Sequence, residues 1–236
     1  MTTGRRATAG PLSDLRAVLA IAGKDLRSEA RSRAATVATV FFSSVTLVVL
    51  AFALGRDSDL MTRAAPGVLW VALAFSGVIS AAQAYLSDLA DGAFEQLLTL
   101  PLPRAALFLG KLLANWFTMT VLGAVLLPVA SVLFDAPIAG GVPQLLATVT
   151  LGTLGFAIVA TFYAALTANL VARESLLPVL MFPVVVPVLL ASVRATEAIV
   201  SGADPALAGD WIELLAGFDL VYLVVTSAIF HIVVEE

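Results

Sequence analysis

The side chains that could carry out chemistry in this sequence are few and isolated. His231 is the single histidine and cysteine is absent, which excludes a disulfide, a thiolate metal site and a cysteine nucleophile. No phosphate-binding G-x-x-x-x-G-K-[ST] motif occurs, and no serine, histidine and acid stand in a recognisable catalytic arrangement. The sequence therefore predicts a chain that is not an enzyme and that binds no cofactor or metal.

Two polar residues fall inside long apolar runs. Asp219 lies in the last run, and Asn115 lies early in the run 105–134. A charged group inside a membrane is costly and often functional, so Asp219 is a candidate functional residue, as is Asn115. Alternatively, Asp219 marks the outer boundary of its run. His231 is interpreted as an interfacial residue rather than an axial ligand.

The most distinctive polar stretch is 88–104, D-L-A-D-G-A-F-E-Q-L-L-T-L-P-L-P-R, which separates two apolar runs. Asp91 before Gly92 is typical of a helix start, because an Asp side chain accepts hydrogen bonds from the free N–H groups of a first turn. Glu95 suits the same turn, where the helix dipole favours an acid. This pattern predicts a short helix that begins near Asp91.

The predicted short helix has one apolar face. Phe94, Leu97 and Leu98 occur at i, i+3 and i+4 and therefore lie together. Pro101 and Pro103 end the helix, since proline excludes helical geometry from the residue before it. Such a face is a docking surface for another protein, although the alternative of a polar loop with a frayed helix end remains open.

Composition indicates the elements that hold these residues. The 236 residues are 60% hydrophobic and 13% charged, whereas soluble domains are about 45–50% apolar and about 25% charged. The fold class is therefore all-α, a polytopic membrane protein. Six apolar runs are long enough to cross a membrane: 36–54, 66–85, 105–134, 144–172, 176–193 and 211–234.

Two of the runs carry patterns that predict helix packing. Small residues recur every four positions at Ser76, Ser80 and Ala84, and such stripes let helices approach closely in lipid. The fifth run contains three prolines, which favour a bent helix packed against its neighbours. Polar residues between the fifth and sixth runs, 194–210, are expected to form a short surface or re-entrant helix.

The chain begins with a basic segment, 1–33, that holds seven of the 13 Lys and Arg residues and lacks the apolar core of a secretory signal. After Pro11, apolar residues recur at helical spacing, which predicts an amphipathic interfacial helix with Asp25 on its polar side. The stripe comprises Leu12, Leu15, Leu19, Ala22 and Leu26. We therefore divide the chain into 1–35, a basic tail and this helix, and 36–236, the membrane domain.

Charge distribution predicts the orientation. With both termini in the cytosol, the cytosolic segments carry ten Lys and Arg residues and the outer segments carry three, Arg56, Arg63 and Arg194. This agrees with the positive-inside rule and puts 88–104 in the cytosol. Lys111 is expected to extend its amine to the cytosolic headgroups. The basic tail is explained by membrane topology, so no nucleic-acid partner is expected, only membrane lipid.

Three blocks resemble the CcmB family, the haem exporter permeases of cytochrome c maturation, which are related to ABC-2-type exporters. The blocks are R-A-A-P-G-V-L-W-V-A at 63–72, D-L-x-D-G-x-x-E-Q-L-L at 88–98 and P-L-P-R…G-K-L-L-A-N-W at 101–116. The similarity extends from about Arg16 to the C-terminus. It implies an ABC-2-type permease of six spans in a bacterial or archaeal inner membrane.

The resemblance also implies partners and a site. This permease would pair with a separate CcmA-like ATPase and work beside a CcmC-like haem-handling protein and a CcmE-like haem chaperone. Residues near 91–100 would form the coupling helix that docks the ATPase. With its flanking residues, this interface comprises Asp88, Asp91, Gly92, Phe94, Glu95, Leu97, Leu98, Pro101, Pro103 and Arg104.

Two alternatives remain open at this point. An ABC-2-type permease for another substrate, a lipid, drug or glycan, would have the same architecture. A secondary transporter or channel that works alone would need ion-binding residues inside the membrane, and Asp219 is the single acid deep in a predicted span.

Overall fold

The structure, a computed structural model, describes residues 11–233 apart from 32, 56, 91–103, 138–140, 168–169 and 171–172. These residues form seven helices and no strand. The helices are α1 (Pro11–Arg31), α2 (Arg33–Leu54), α3 (Ser58–Ala90), α4 (Arg104–Leu133), α5 (Val142–Thr167), α6 (Arg173–Val200) and α7 (Pro205–Val233).

Six of these helices, α2 to α7, are long and apolar enough to cross a membrane. The all-α class with six spans is confirmed. Large apolar side chains stay exposed around the bundle, such as Phe52 at 82% and Val132 at 85% exposure. In a membrane, lipid tails cover such side chains, whereas their exposure to water would be energetically unfavourable.

Several spans are longer than predicted because polar residues continue the helices. The residues 58–63, expected in a loop, form the first turns of α3. The Asp57 carboxylate accepts hydrogen bonds from the N–H groups of Asp59 and Leu60, which caps this helix start. Pro66 is therefore inside α3 rather than at its start.

The separate helix expected between the fifth and sixth runs is wrong. Residues 194–200 extend α6, and 205–210 are the first turns of α7. Gly202, with a φ of 67°, makes the turn between them, since only glycine adopts this backbone readily. All three prolines of the fifth run, Pro178, Pro183 and Pro187, lie within the single helix α6.

Successive membrane helices, α2 to α7, run in opposite directions. At one end the Thr62 hydroxyl, near the start of α3, donates to the carbonyl of Asp135 just after α4. At the other end Ile21 of α1 shares a hydrophobic cluster with Phe108 of α4 and Phe230 of α7. We call these the far end and the α1 end. The chain segment 91–103 joins α3 to α4 at the α1 end.

Helix α5 lies at the centre and packs against α3, α4, α6 and α7, while α2 and α7 are the most exposed spans. Glycines allow this close packing. A Cβ added to Gly152 of α5 would overlap the Trp70 ring of α3, and one added to Gly77 of α3 would overlap Met119 and Phe156. These glycines set the distances between the helices.

Candidate functional site

The predicted docking segment lies mostly outside the described residues. That includes Asp91, Gly92, Phe94, Glu95, Leu97, Leu98, Pro101 and Pro103. Its two flanks are described: Asp88 falls in the last turn of α3, and Arg104 is the first residue of α4, where its side chain is half-buried. The helix assignment within 91–103 and its docking role therefore stay predictions.

A buried lysine connects the helices on either side of this segment. Lys111, in the second turn of α4, is 1% exposed, and its Nζ donates to the backbone carbonyl of Ala84 on α3 at 3.3 Å. The same ammonium lies 4.6 Å from the centre of the Tyr85 ring, a favourable cation–π distance. Lys111 therefore links α3 to α4 less than two turns from Ala90, the last residue of α3.

Helix α1 supplies the counter-charge to this lysine. Asp25, 8% exposed, places Oδ2 3.3 Å from Lys111 Nζ and Oδ1 2.8 Å from Lys24 Nζ. One turn further along, Glu29 Oε2 accepts a 2.7 Å hydrogen bond from Thr118 of α4, and Oε1 accepts one from Ser80 of α3. Burial of Glu29 raises its pKa above 4.5, and these hydroxyl hydrogen bonds partly counteract that effect.

These contacts differ from the sequence interpretation in two respects. Lys111 contacts Asp25 inside the protein instead of the headgroups, and Asp25 lies on the buried side of α1 with Ile21 and Ala22. Two leucines of the predicted stripe, Leu15 and Leu19, are instead more than half exposed. The missed signal was a pair of acids spaced i, i+4 on α1 together with one lysine inside an otherwise apolar run.

Close backbone approach reinforces the same contact. A Cβ on Gly110 would come within 2.8 Å of Ile21 side-chain atoms and 3.1 Å of the Val18 carbonyl. Helix α1 is therefore fixed to α4 by apolar packing as well as by the buried charges. We refer to Asp25, Glu29, Lys111 and Thr118, with Tyr85, as the α1 polar cluster.

The two polar residues predicted inside the spans lie apart from each other. Asn115 is 4% exposed, and its Nδ2 donates to Thr161 Oγ1 of α5 at 3.2 Å. It thus joins α4 to the central helix. It belongs to the same face of α4 as Lys111, one turn further along.

Asp219 is more deeply placed than the sequence indicated. Helix α7 begins at Pro205, so this acid lies about 21 Å along the helix and not at its outer boundary. It is 4% exposed, its Oδ1 faces Gly155 of α5, and neither carboxylate oxygen has a hydrogen-bond partner among the described residues. A buried polar group of this kind is costly to the folded protein, which favours a functional reason for its presence.

The contacts of the α1 polar cluster link helices to one another. Within the described part of the chain, no three His, Cys, Asp or Glu residues come together as a metal site. The α1 polar cluster instead connects three helices directly beside the attachment points of the segment 91–103. Any displacement of that segment must act on helices that this cluster binds together.

Comparison with known proteins identifies the family. The family described as CcmB protein matches residues 16–235. The chain is 31% identical to Heme exporter protein B of Paracoccus denitrificans (strain Pd 1222), over 78% of this chain and 84% of that protein. It is 32% identical to Heme exporter protein B of Pseudomonas aeruginosa, over 69% and 72% of the two chains. The chain therefore belongs to the CcmB family.

Proposed function

We propose that this protein is the membrane permease subunit of an ABC-type haem exporter that serves c-type cytochrome biogenesis. The proposal is supported by the family match over nearly the whole chain and by relatives named Heme exporter protein B. Six apolar helices suit a permease, and the sequence has no nucleotide-binding loop of its own. ATP hydrolysis is therefore assigned to a separate, CcmA-like ATPase subunit.

The segment 91–100 is the proposed docking site for that ATPase. The observation that carries this proposal is the Lys111 contact set, which binds α1, α3 and α4 together where the segment attaches. Movement of the docked ATPase would be delivered to α3 and α4 at once, and through Asp25 to α1. CcmC-like and CcmE-like proteins are the proposed haem-handling partners.

The proposed orientation puts the α1 end in the cytosol, with both termini on that side of the inner membrane. In this topology the cytosolic segments of the sequence carry ten of the 13 Lys and Arg residues, and the outer segments carry Arg56, Arg63 and Arg194. This asymmetry supports the orientation through the positive-inside rule. It also brings the docking segment to the compartment that holds ATP.

The docking proposal is tested by co-purification of the ATPase. Leu97→Asp and Leu98→Asp should each abolish complex formation, because each places a charge on the predicted apolar face. Leu60→Asp is the matched control, since Leu60 is an exposed leucine at the far end of α3. Normal complex yield from both test variants would contradict the docking role.

The haem assignment is tested separately. Deletion of the gene should remove covalently bound haem from c-type cytochromes in a peroxidase-stained gel, and the wild-type gene should restore it. Undiminished staining in the deletion strain would contradict the haem assignment while leaving the ATPase interaction intact.

A further inference from the structure

Asp219 of α7 lies near the middle of its membrane span. The apolar span runs from Pro205 to Phe230, so the acid is about 16 Å along the helix from the nearer end. It is 4% exposed, and neither carboxylate oxygen has a hydrogen-bond partner among the described residues. An ionised carboxylate in such surroundings is very costly, which means that the folded protein has to neutralise it.

No described basic group neutralises this acid. None of the ion pairs among the described residues involves Asp219. Helix α5, which Asp219 contacts at Gly155, contains no Lys, Arg, His, Asp or Glu. On α6, Arg194 and Glu197 pair with each other at the surface. Tyr222, three residues along α7, is titratable, but its hydroxyl donates to a backbone carbonyl of α6.

The packing around Asp219 favours a proton over a metal ion. A Cβ on Gly155 would overlap Asp219 Oδ1 and come within 3.1 Å of the Val188 methyl groups of α6. The acid therefore lies directly against the backbone of α5. Hard metal cations take about six oxygen ligands, and the described residues hold no group of three His, Cys, Asp or Glu side chains. A proton needs neither additional ligands nor additional space.

A second unpaired group lies on the same face of α5. Ser192 of α6 is fully buried, and its hydroxyl oxygen has no hydrogen-bond partner among the described residues. A Cβ on Gly152 would overlap this oxygen, as one on Gly155 would overlap Asp219 Oδ1. Because Gly152 and Gly155 are three residues apart, they share one face of the helix. A serine hydroxyl on the adjacent turn can accept a hydrogen bond from a protonated acid.

We propose that Asp219 is a proton-binding site in the membrane core, at the contact of α5, α6 and α7. The proton neutralises the carboxylate, and the O–H group that it forms donates to the Ser192 hydroxyl. The proton can leave only when water reaches the acid, so its exchange is coupled to separation of α7 from α5. Haem export is not required for this inference, which depends on the membrane location and the helix packing.

The test is infrared spectroscopy of the purified full-length chain in a detergent without ester groups. The measurement is made at about pH 6, where exposed carboxyl groups are ionised because their ordinary pKa values are about 4. The wild-type protein should show the C=O stretching band of a protonated carboxyl group, shifted in heavy water. Asp219→Asn should remove this band, whereas Glu213→Gln should retain it, since Glu213 is an exposed acid of the same helix.

Two results would overturn the proton site. The first is a wild-type spectrum identical to that of Asp219→Asn, a comparison in which any signal from Glu29 cancels. The second is loss of the band when choline chloride is replaced by sodium chloride at constant pH, which would identify Na⁺ as the ligand.

The serine partner is tested with a matched pair of serine variants. Ser192→Ala should retain the band but move it to higher frequency, because the carboxyl group loses a hydrogen bond. Ser201→Ala is the control, since Ser201 is exposed just after α6. An unchanged band in Ser192→Ala would show that Ser192 is not the partner.

The coupling to helix separation is tested by the rate of exchange. In heavy water the band of Gly155→Ala should shift several-fold faster than that of Gly217→Ala, because a Cβ at Gly155 meets Asp219 whereas one at Gly217 meets nothing within 4 Å. Equal exchange rates in the two variants would contradict a proton held at the contact of α5 with α7.

Discussion

The Lys111 ammonium lies 3.3 Å from Asp25 Oδ2 although the two side chains are only 1% and 8% exposed. Burial of two charges costs several kcal/mol per ion unless each has close partners. Here the lysine also contacts the Ala84 carbonyl and the Tyr85 ring, and the aspartate also contacts Lys24. This charge pair defines how α1 docks on the membrane domain.

Removal of the lysine should destabilise the protein. We expect Lys111→Met to reduce the free energy of unfolding by about 3 kcal/mol, the lower end of the range for breaking a buried ion pair, because Asp25 keeps Lys24 beside it. The measurement is chemical unfolding of the purified protein in detergent, followed by tryptophan fluorescence.

An exposed pair provides the control for this substitution. Arg63 and Asp59 form an ion pair at the far end, and both side chains are 75% exposed. Arg63→Met should change stability by less than about 1 kcal/mol, since exposed pairs contribute little. Equal effects of the two substitutions would contradict the structural role of the buried pair.

The centres of the spans could be predicted from sequence because each depends on local hydropathy alone. Their far ends could not, because polar residues there continue helices in contact with solvent. Arg194 and Glu197, for example, form an i, i+3 ion pair on the surface of α6, where a separate short helix was expected. Local composition does not distinguish a polar helical turn from a polar loop.

The α1 polar cluster could not be predicted for a different reason. Asp25 and Lys111 are 86 residues apart in sequence, and nothing local identifies either as the partner of the other. The amphipathic pattern of α1 was visible, but the side that faces the protein depends on this distant lysine. Asp219 was recognised as an isolated acid, whereas its depth depended on where α7 begins.

A close approach between Gly155 and Asp219 should make residue size critical. A Cβ on Gly155 would overlap Asp219 Oδ1 and approach Val188 within 3.1 Å, so Gly155→Ala should separate α5 from α7 and destabilise the protein by about 1–3 kcal/mol. The double variant Gly155→Ala/Asp219→Ala should recover part of this loss, because the overlapping oxygen is gone. The unfolding free energies of these two variants and of Asp219→Ala give the coupling energy between Gly155 and Asp219.

Gly217 supplies the matched glycine substitution. It lies in α7, two residues from Asp219, and a Cβ there would meet nothing within 4 Å. Gly217→Ala should leave stability unchanged or increase it by up to about 1 kcal/mol, since alanine is the better helix former. A loss at Gly217 comparable to that at Gly155 would show that the close approach is not the cause.

Stability and function should respond oppositely at Asp219. Its carboxylate has no hydrogen-bond partner among the described residues and lies beside Gly155. Asp219→Leu should raise the midpoint of thermal unfolding, because it removes a polar group from an apolar environment. The same variant should lower covalent haem in c-type cytochromes if membrane-embedded acids serve transport. Normal haem attachment with raised stability would assign Asp219 no functional role.

Glu29 should give the protein a distinct pH dependence. Its folded-state pKa is raised above 4.5 by burial, so the folded protein binds the Glu29 proton more tightly than the unfolded chain does. This contribution to stability is complete below about pH 4.5 and is lost as the pH rises through the raised folded-state pKa. Glu29→Gln cannot titrate, so the unfolding free energy of the wild type minus that of the variant should decrease over that interval.

The measurement is unfolding of both proteins in the same detergent across the acidic to neutral range, where titrating groups that do not interact with Glu29 cancel in the difference. A difference that stays constant with pH, or that moves in favour of the wild type as the pH rises, would mean that Glu29 is not buried against α4 as the structure describes.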